Sequence, residues 1–315
     1  MSKPTIFNSK SAITSLAAVT AGAICTATNP VFVRFSELEP LASAFHRMLW
    51  ALPILLLWQY FDKTPRISAA TKSSDWWLLV LCGIFFAADL IALHLAIDLT
   101  LAANAIVFLN AQPLYVVIFG WLFFSERVSA GFLVAMILAF SGIAVLMWSG
   151  AHVGNGNLMG DSLGIAAGVF YAGFLLTAKR LRSRHSSITI NIWTCVAALP
   201  VLLLVALINT ASIIPDTLED WGYMLSLGIV SHALGQGLIV WGLARLHSGM
   251  SAIALLIAPI ATACFAWVLL GEQLNSTQIL AMFVVLVAIQ TAWRYSKQEN
   301  NAVGKSNVKN GDRAK

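Results

Sequence analysis

Charged side chains are scarce in this chain: 14 Asp and Glu and 19 Lys and Arg make up 10% of its 315 residues. Soluble globular domains carry about 25%, because their surface must face water, so a water-soluble globule is excluded. Cysteine is equally sparse. The four present, Cys25, Cys82, Cys195 and Cys264, lie in apolar stretches without paired spacing, which argues against a disulfide framework or a zinc site. No metal or other cofactor is expected. The chain has no ATP-binding motif, no HExxH, no paired carboxylates at one interface and no Ser/His/Asp set. Neither nucleotide-driven pumping nor a membrane-embedded enzyme is therefore indicated. The formal charge of +5 comes from basic residues between apolar stretches and in the C-terminal segment, not from one basic face, so no nucleic acid partner is expected.

What the chain has in abundance is hydrocarbon, with 59% hydrophobic residues and a mean hydropathy of +0.80. Ten apolar runs, at about 12–34, 39–60, 76–97, 101–123, 130–149, 159–179, 187–208, 221–244, 248–270 and 277–295, are each roughly 20 residues long. That length crosses about 30 Å of hydrocarbon as a helix. The first run is too long for the apolar region of a signal peptide, and no convincing small-x-small cleavage site follows it, so it reads as a membrane helix. The expected fold is an all-α polytopic membrane protein with ten transmembrane helices.

The ten runs form two sets of five. Pro113–Glu126, PLYVVIFGWLFFSE, and Pro259–Glu272, PIATACFAWVLLGE, share a proline, a Trp (Trp121, Trp267) and a closing Glu at a constant offset of 146 residues. The same offset places Gly22 on Gly168, Arg34 on Arg180 and Thr64 on Thr210. Because five is odd, the second set re-enters the membrane from the opposite side, as two inverted repeats. The expected organisation is an N-terminus at 1–11, a first repeat at 12–150, an outer linker at 151–158, a second repeat at 159–295 and a disordered basic tail at 296–315. With the N-terminus inside, 17 of the 19 Lys and Arg fall on the inner side, and only Arg34 lies outside and Arg47 within a run. Asp161, Asp216, Glu219 and Asp220 fall outside. Both termini are therefore expected to be cytoplasmic.

The two Pro-to-Glu segments continue as SERVSAGFLVAMILAFSGIAVL and GEQLNSTQILAMFVVLVAIQTA, and GDSLGIAAGVFYAGFLLTAKRLR opens the second half. In these stretches the chain resembles the EamA family of the drug/metabolite transporter superfamily, over about residues 12–295. Ser125 departs from the glycine usual before the first Glu, whereas Gly271 keeps it. The resemblance implies secondary transport of small metabolites, often outward, through a central cavity between the two halves, in the cytoplasmic (inner) membrane of a bacterium.

Residues that could carry the chemistry lie inside the runs. Arg47 in run 2 and Asp89 in run 3 each lie about 8 residues, or ~12 Å, below the same outer surface, and Trp50 is one turn deeper than Arg47. A charge at that depth costs a few kcal/mol unless it meets protein or water. Two readings stand: a structural Arg47–Asp89 ion pair or outward snorkelling of Arg47, and a charged wall where Arg47 meets a carboxylate and Asp89 a cation or coupling proton. Run 4 carries a one-faced stripe of Asn104, Phe108, Gln112 and Tyr115 that suits a substrate site or interhelical hydrogen bonds. Pro113 and Pro259 loosen equivalent backbone in the two halves and mark candidate hinges. His232 and Gln236 in run 8, Tyr171 in run 6 and Trp193 in run 7 complete the candidate set, with His232 a second proton-coupling candidate or a neutral core histidine. Trp76, Trp77, Trp148, Trp221 and Trp293 sit at run ends, where an interfacial belt is the default.

The sequence thus points to a secondary transporter, an exporter, of a small amphipathic metabolite such as an amino acid. Its partners would be that solute, the lipid bilayer and a coupling proton or ion. The alternatives are a channel-like or facilitative permease and, less favoured, a membrane-embedded enzyme. The topology is checked by cysteine labelling of intact cells with a membrane-impermeant maleimide. Asn155→Cys is expected to label directly, and Thr64→Cys only after the membrane is opened.

Overall fold

A computed structural model of the chain describes residues 9–61, 73–100, 108–124, 129–148, 157–246, 248–271 and 274–312. Every regular element among them is a helix. Asn104, Glu126 and Glu272 lie outside the described residues.

The first run forms two helices, α1 (Ser9–Thr26) and α2 (Asn29–Phe35), where one was expected. Pro30 has no N–H for the carbonyl four residues back, and the chain turns at Ala27 and Thr28 before restarting. Proline also opens α3 (Pro40–Phe61), where the missing donor is harmless because first-turn N–H groups have no intrahelical acceptor. Next come α4 (Ser73–Leu99), α5 (Gln112–Phe124) and α6 (Ala130–Trp148). In the second half, α7 (Leu158–Leu181) is capped by Asn157 and α8 (Ser187–Asn209) by Ser186. Each cap side chain accepts from a first-turn N–H that would otherwise be unpaired.

The eighth run, expected as one α-helix, has three parts: α9 (Leu218–Ser226), a π-helix (Leu227–Gln236) and α10 (Gly237–Leu243). The Gly237 N–H bonds to the His232 carbonyl, five residues back. This wider winding, a feature frequent at functional sites, carries both His232 and Gln236. The ninth run splits into α11 (Ser248–Leu255) and α12 (Ile257–Leu270). Its break at Leu256 precedes Pro259, as a break at Ala111 precedes Pro113. Both prolines are buried, and at both breaks the backbone tightens to bonds spanning three residues, Ala111 N to Phe108 O and Leu256 N to Ile253 O. The final helix, α13 (Ser276–Asp312), continues through residues expected to lack regular structure. Its apolar part has already met the cost of nucleation, so adding residues is cheap.

Seven stretches, Ala12–Phe35, Pro40–Phe61, Asp75–Ile97, Leu158–Leu181, Ser187–Asn209, Leu218–Leu243 and Gly249–Leu270, are long and apolar enough to cross a membrane. Phe108–Phe123, Ala130–Leu146 and Ser276–Ala292 are shorter apolar helices. Packing runs mainly between halves. α4 lies on α7 and α8, as α1 and α3 lie on the π-helix that replaces α4 in the second half. α5 meets α7 as α11 and α12 meet α1, while α3–α8 and α6–α13 pair equivalents and α5–α11 joins the two Pro-to-Glu runs. Exchanging the halves therefore maps these contacts onto one another, as a pseudo-two-fold axis requires.

Glycine permits the closest approaches. A Cβ added at Gly228 in the π-helix would lie 2.5 Å from Trp50 Cβ, and one at Gly22 in α1 would lie 2.6 Å from the Gly235 carbonyl oxygen. Backbone cannot yield cheaply to either, and overpacking of this kind costs about 1–3 kcal/mol. Gly228→Ala is accordingly expected to lower the thermal midpoint of the purified protein. Gly222→Ala, whose Cβ would meet nothing within 4 Å, is expected to leave it unchanged or raise it.

Candidate functional site

The contacts between halves bring three elements, α3, α7 and the π-helix, around one ring, Phe86 of α4. The Arg47 guanidinium of α3 lies over it, 5.4 Å from the ring centroid. His232 of the π-helix packs edge-on at 5.2 Å, Phe174 of α7 edge-on at 5.1 Å and Tyr171 at 6.2 Å. The Tyr171 hydroxyl is 3.4 Å from Gln236 Oε1. Phe86 and His232 stand at equivalent positions, 146 residues apart. A residue that touches its own counterpart lies at the two-fold axis, so the pseudo-symmetry centres this cluster between the halves.

Polar atoms there are buried without protein partners. Arg47 Nε, Trp50 Nε1, Asp89 Oδ1 and both His232 ring nitrogens have no hydrogen-bond acceptor or donor among the described residues. Arg47 and Asp89 are only 6% and 5% exposed, and His232 is fully buried. No ion pair joins Arg47 to Asp89, although each charge acts on the other. Buried groups in folded proteins are nearly always hydrogen-bonded, and an orphan costs about 1–3 kcal/mol, more for a charge. Five unpaired atoms in one region mark a site that completes its hydrogen bonds with water or a solute. Chemically, the guanidinium offers donors to an anionic group, Asp89 offers acceptors to a cation or proton, and Phe86, Tyr171 and Trp50 offer apolar faces.

Of the residues singled out in the sequence, Arg47, Asp89, Tyr171, His232 and Gln236 meet here. Trp50 is one turn on from Arg47 in α3, with its ring edge-on to Trp221 at 6.0 Å. Tyr115 lies against Gly168, where an added Cβ would come within 2.7 Å of its ring, so Tyr115 seats α5 on α7. Phe108 and Gln112 are half-buried on either side of the break at Ala111. Trp193 packs edge-on against Trp76 at 4.6 Å, towards the start of α4 and away from Phe86. Pro113 and Pro259 sit at the paired breaks described above.

Two participants escaped the sequence reading. Phe86 lies one helical turn before Asp89, and that spacing puts both on one face; the 146-residue offset also lands it on His232. Trp221, assigned to the interfacial belt, instead contacts His46 at 5.6 Å as well as Trp50. It belongs to a latch between halves. His46 Nε2 is 2.7 Å from the Ile213 carbonyl, the Ala211 N–H donates to Glu39 Oε1 at 3.0 Å, and the Glu37 N–H donates to Asp220 Oδ1 at 3.2 Å. Phe35 stacks on Tyr223 at 5.4 Å in the same layer. The opposite end of the bundle has a second latch. Gln59 Nε2 donates to Thr189 Oγ1 at 3.3 Å, and Arg184 Nη1 meets Asp75 Oδ1 at 2.9 Å.

Breaking a buried ion pair by removing one member costs about 3–5 kcal/mol. Since Arg47 and Asp89 are not so joined, a double-mutant cycle of Arg47→Ala and Asp89→Asn on unfolding stability is expected to give a coupling below about 1 kcal/mol. A coupling of several kcal/mol would restore the structural ion pair.

Comparison with known proteins agrees with this architecture. The model of the EamA-like transporter family matches the chain twice, over residues 13–148 and 158–292. A transporter of unassigned function from Archaeoglobus fulgidus is 23% identical over 252 residues, covering 77% of this chain and 84% of that one. The pseudopaline exporter CntI of Pseudomonas aeruginosa is 23% identical over 211 residues, 67% of this chain and 72% of its own. The threonine/homoserine exporter RhtA of Salmonella typhimurium is 26% identical over 168 residues, 52% of this chain and 55% of its own. A crystal structure of 14% sequence identity superposes with a TM-score of 0.75 over 90% of this chain and 98% of that one, which shows a shared fold. Two family matches that together span most of the sequence, on an all-helical bundle with membrane-length apolar helices, make the chain a multi-pass membrane protein of the EamA-like transporter family.

Proposed function

We propose that this protein is a secondary transporter that exports a small amphipathic metabolite, such as an amino acid, across the cytoplasmic membrane of a bacterium. In this reading ten helices cross the bilayer as two inverted five-helix repeats with both termini in the cytoplasm. The observation that carries it is the group of buried, unpartnered polar atoms of Arg47, Trp50, Asp89 and His232 where the two halves meet. A transporter that works by rocking two halves needs its solute site there, where both halves reach the solute in either state. Arg47 binds a carboxylate, Asp89 takes an amino group or a coupling proton, and the ring of Phe86 covers the apolar part. His232 is the second proton-coupling candidate. The exporter names of CntI and RhtA support the outward direction and the amphipathic class of solute.

The two latches supply the gates. α3 contributes to both, through His46 and Trp50 at one end and Gln59 at the other, so tilting one half against the other loosens one latch as it tightens its opposite. Pro113 and Pro259 sit where the backbone has already lost regular bonds, and serve as matched hinges.

The test begins with a thermal-shift screen of metabolites, starting from threonine and homoserine, since a ligand that binds only the folded state raises its midpoint. The best hit is then taken into proteoliposomes. Saturable counterflow is expected, and Asp89→Asn and Arg47→Ala should each lower it about tenfold or more, the value of a lost hydrogen bond to a charged group. Conductance without counterflow would favour a channel-like permease, and neither counterflow nor conductance would overturn transport.

A further inference from the structure

A second polar site lies at the other end of α4, far from Phe86. Here the start of α4 and the last turn of α7 enclose a cleft of about 440 Å³, lined by Asp75, Trp77, Arg180, Ser183 and Arg184. The spans Asp75–Ile97, Leu158–Leu181 and Ser187–Asn209 all begin or end beside it. The cleft therefore opens at the level where hydrocarbon gives way to headgroups. Trp77, 60% exposed, stands on its rim, as tryptophan does at that boundary.

Its charge is lopsided. Arg180 is exposed, and its guanidinium has no hydrogen-bond or ion-pair partner among the described residues. The Arg184 guanidinium is 45% exposed although it holds Asp75 Oδ1 at 2.9 Å. His185 Nε2 approaches the other Asp75 oxygen at 3.4 Å without the alignment of a hydrogen bond. Arg182, bonded to the His185 carbonyl, adds a cation behind them; burial first, and the Arg245 guanidinium second, push its pKa down. Among the described residues, a single carboxylate thus faces several cations. Soluble-facing ion pairs of this kind contribute little to stability, and two guanidinium groups on one cleft present the forked donors that bind phosphate.

We infer that this cleft binds the phosphate headgroup of an anionic phospholipid, with Arg180 and Arg184 as donors and Trp77 against the upper acyl chain. The volume suits a glycerophosphate headgroup, since small-molecule pockets span about 300–1,000 Å³. Lipid phosphate and Asp75 then compete for Arg184. That competition reaches beyond the cleft, because Asp75 belongs to the first half and Arg184 to the second. An anionic lipid that draws Arg184 outward loosens the latch at this end of the bundle, and the same ion pair restrains lipid binding. The inference stands whether or not the proposed solute and direction of transport are right, because its readout is lipid retention.

The experiment is native mass spectrometry of the full chain in detergent, titrated with phosphatidylglycerol or phosphatidylcholine, with glycerol 3-phosphate as the soluble control. The wild type is expected to prefer phosphatidylglycerol. Arg180→Gln and Arg184→Gln should each reduce that preference about fivefold, the effect of one cation near an anionic headgroup. Asp75→Asn should raise it, by releasing Arg184. The opposite signs separate a built site from general loss of structure. Unchanged preference in both arginine variants would overturn the proposal, as would a lower preference in Asp75→Asn. Glycerol 3-phosphate that displaces phosphatidylglycerol at millimolar concentration would make the ligand a soluble phosphate and overturn the lipid assignment.

Discussion

Inside hydrocarbon, every backbone N–H and C=O must find a partner in the protein, because lipid offers none. Regular helices meet this rule unaided. This protein breaks its helices at Ala27–Thr28, Ala111 and Leu256, and at the first break side-chain hydroxyls add donors to those the backbone still provides. Thr26 Oγ1 donates to Ala23 O at 2.9 Å, Thr28 Oγ1 to Cys25 O at 2.7 Å and Thr262 Oγ1 to Ala27 O at 3.2 Å. Ser231 Oγ is 3.0 Å from Thr28 Oγ1. Ser231 and Thr262 belong to the second half, so satisfying the broken backbone of α1 ties the halves together. The break is thus stabilised only in the assembled bundle.

The same constraint explains why the polar cluster is informative. Polar groups are expensive in the middle of a membrane protein, and the fold bonds others of them, Thr194 Oγ1 to Ile190 O and His94 Nδ1 to Leu90 O. Against that background, Arg47 Nε, Asp89 Oδ1 and both nitrogens of His232 stand without protein partners. The frame is pseudo-symmetric but the chemistry is not. The positions equivalent to Arg47 and Asp89 are Trp193 and Gly235, so the charges come from the first half and the titratable imidazole from the second. Phe86 and His232, equivalent and in contact, show the divergence at its centre: one apolar ring and one polar ring across the axis.

Most of the helices could be read directly, since long apolar runs have few alternatives to a membrane helix. The breaks were only half legible. Pro113 and Pro259 announce theirs, but the turn at Ala27–Thr28 and the π-helix from Leu227 to Gln236 do not announce themselves. Both depend on close packing against another helix, at Gly22 on Gly235 and at Trp50 on Gly228. Arg47 and Asp89 were conspicuous as charges in apolar runs, whereas Phe86 and Trp221 were hidden among 17 phenylalanines and 11 tryptophans. Aromatic residues are ordinary in such helices, and only their neighbours distinguish them.

By itself, then, the sequence determined the membrane class, the helical content, the doubled pattern and the candidate charges, because each rests on hydropathy, composition or spacing along the chain. The tertiary structure alone decided that Arg47 and Asp89 approach without pairing, that Trp193 turns away to Trp76 and that Phe86 of α4 joins α3, α7 and the π-helix between the halves. Those outcomes depend on how helices from opposite halves rotate against each other. Hydropathy cannot encode that rotation, because the faces that meet inside the bundle and the faces that meet lipid are both apolar.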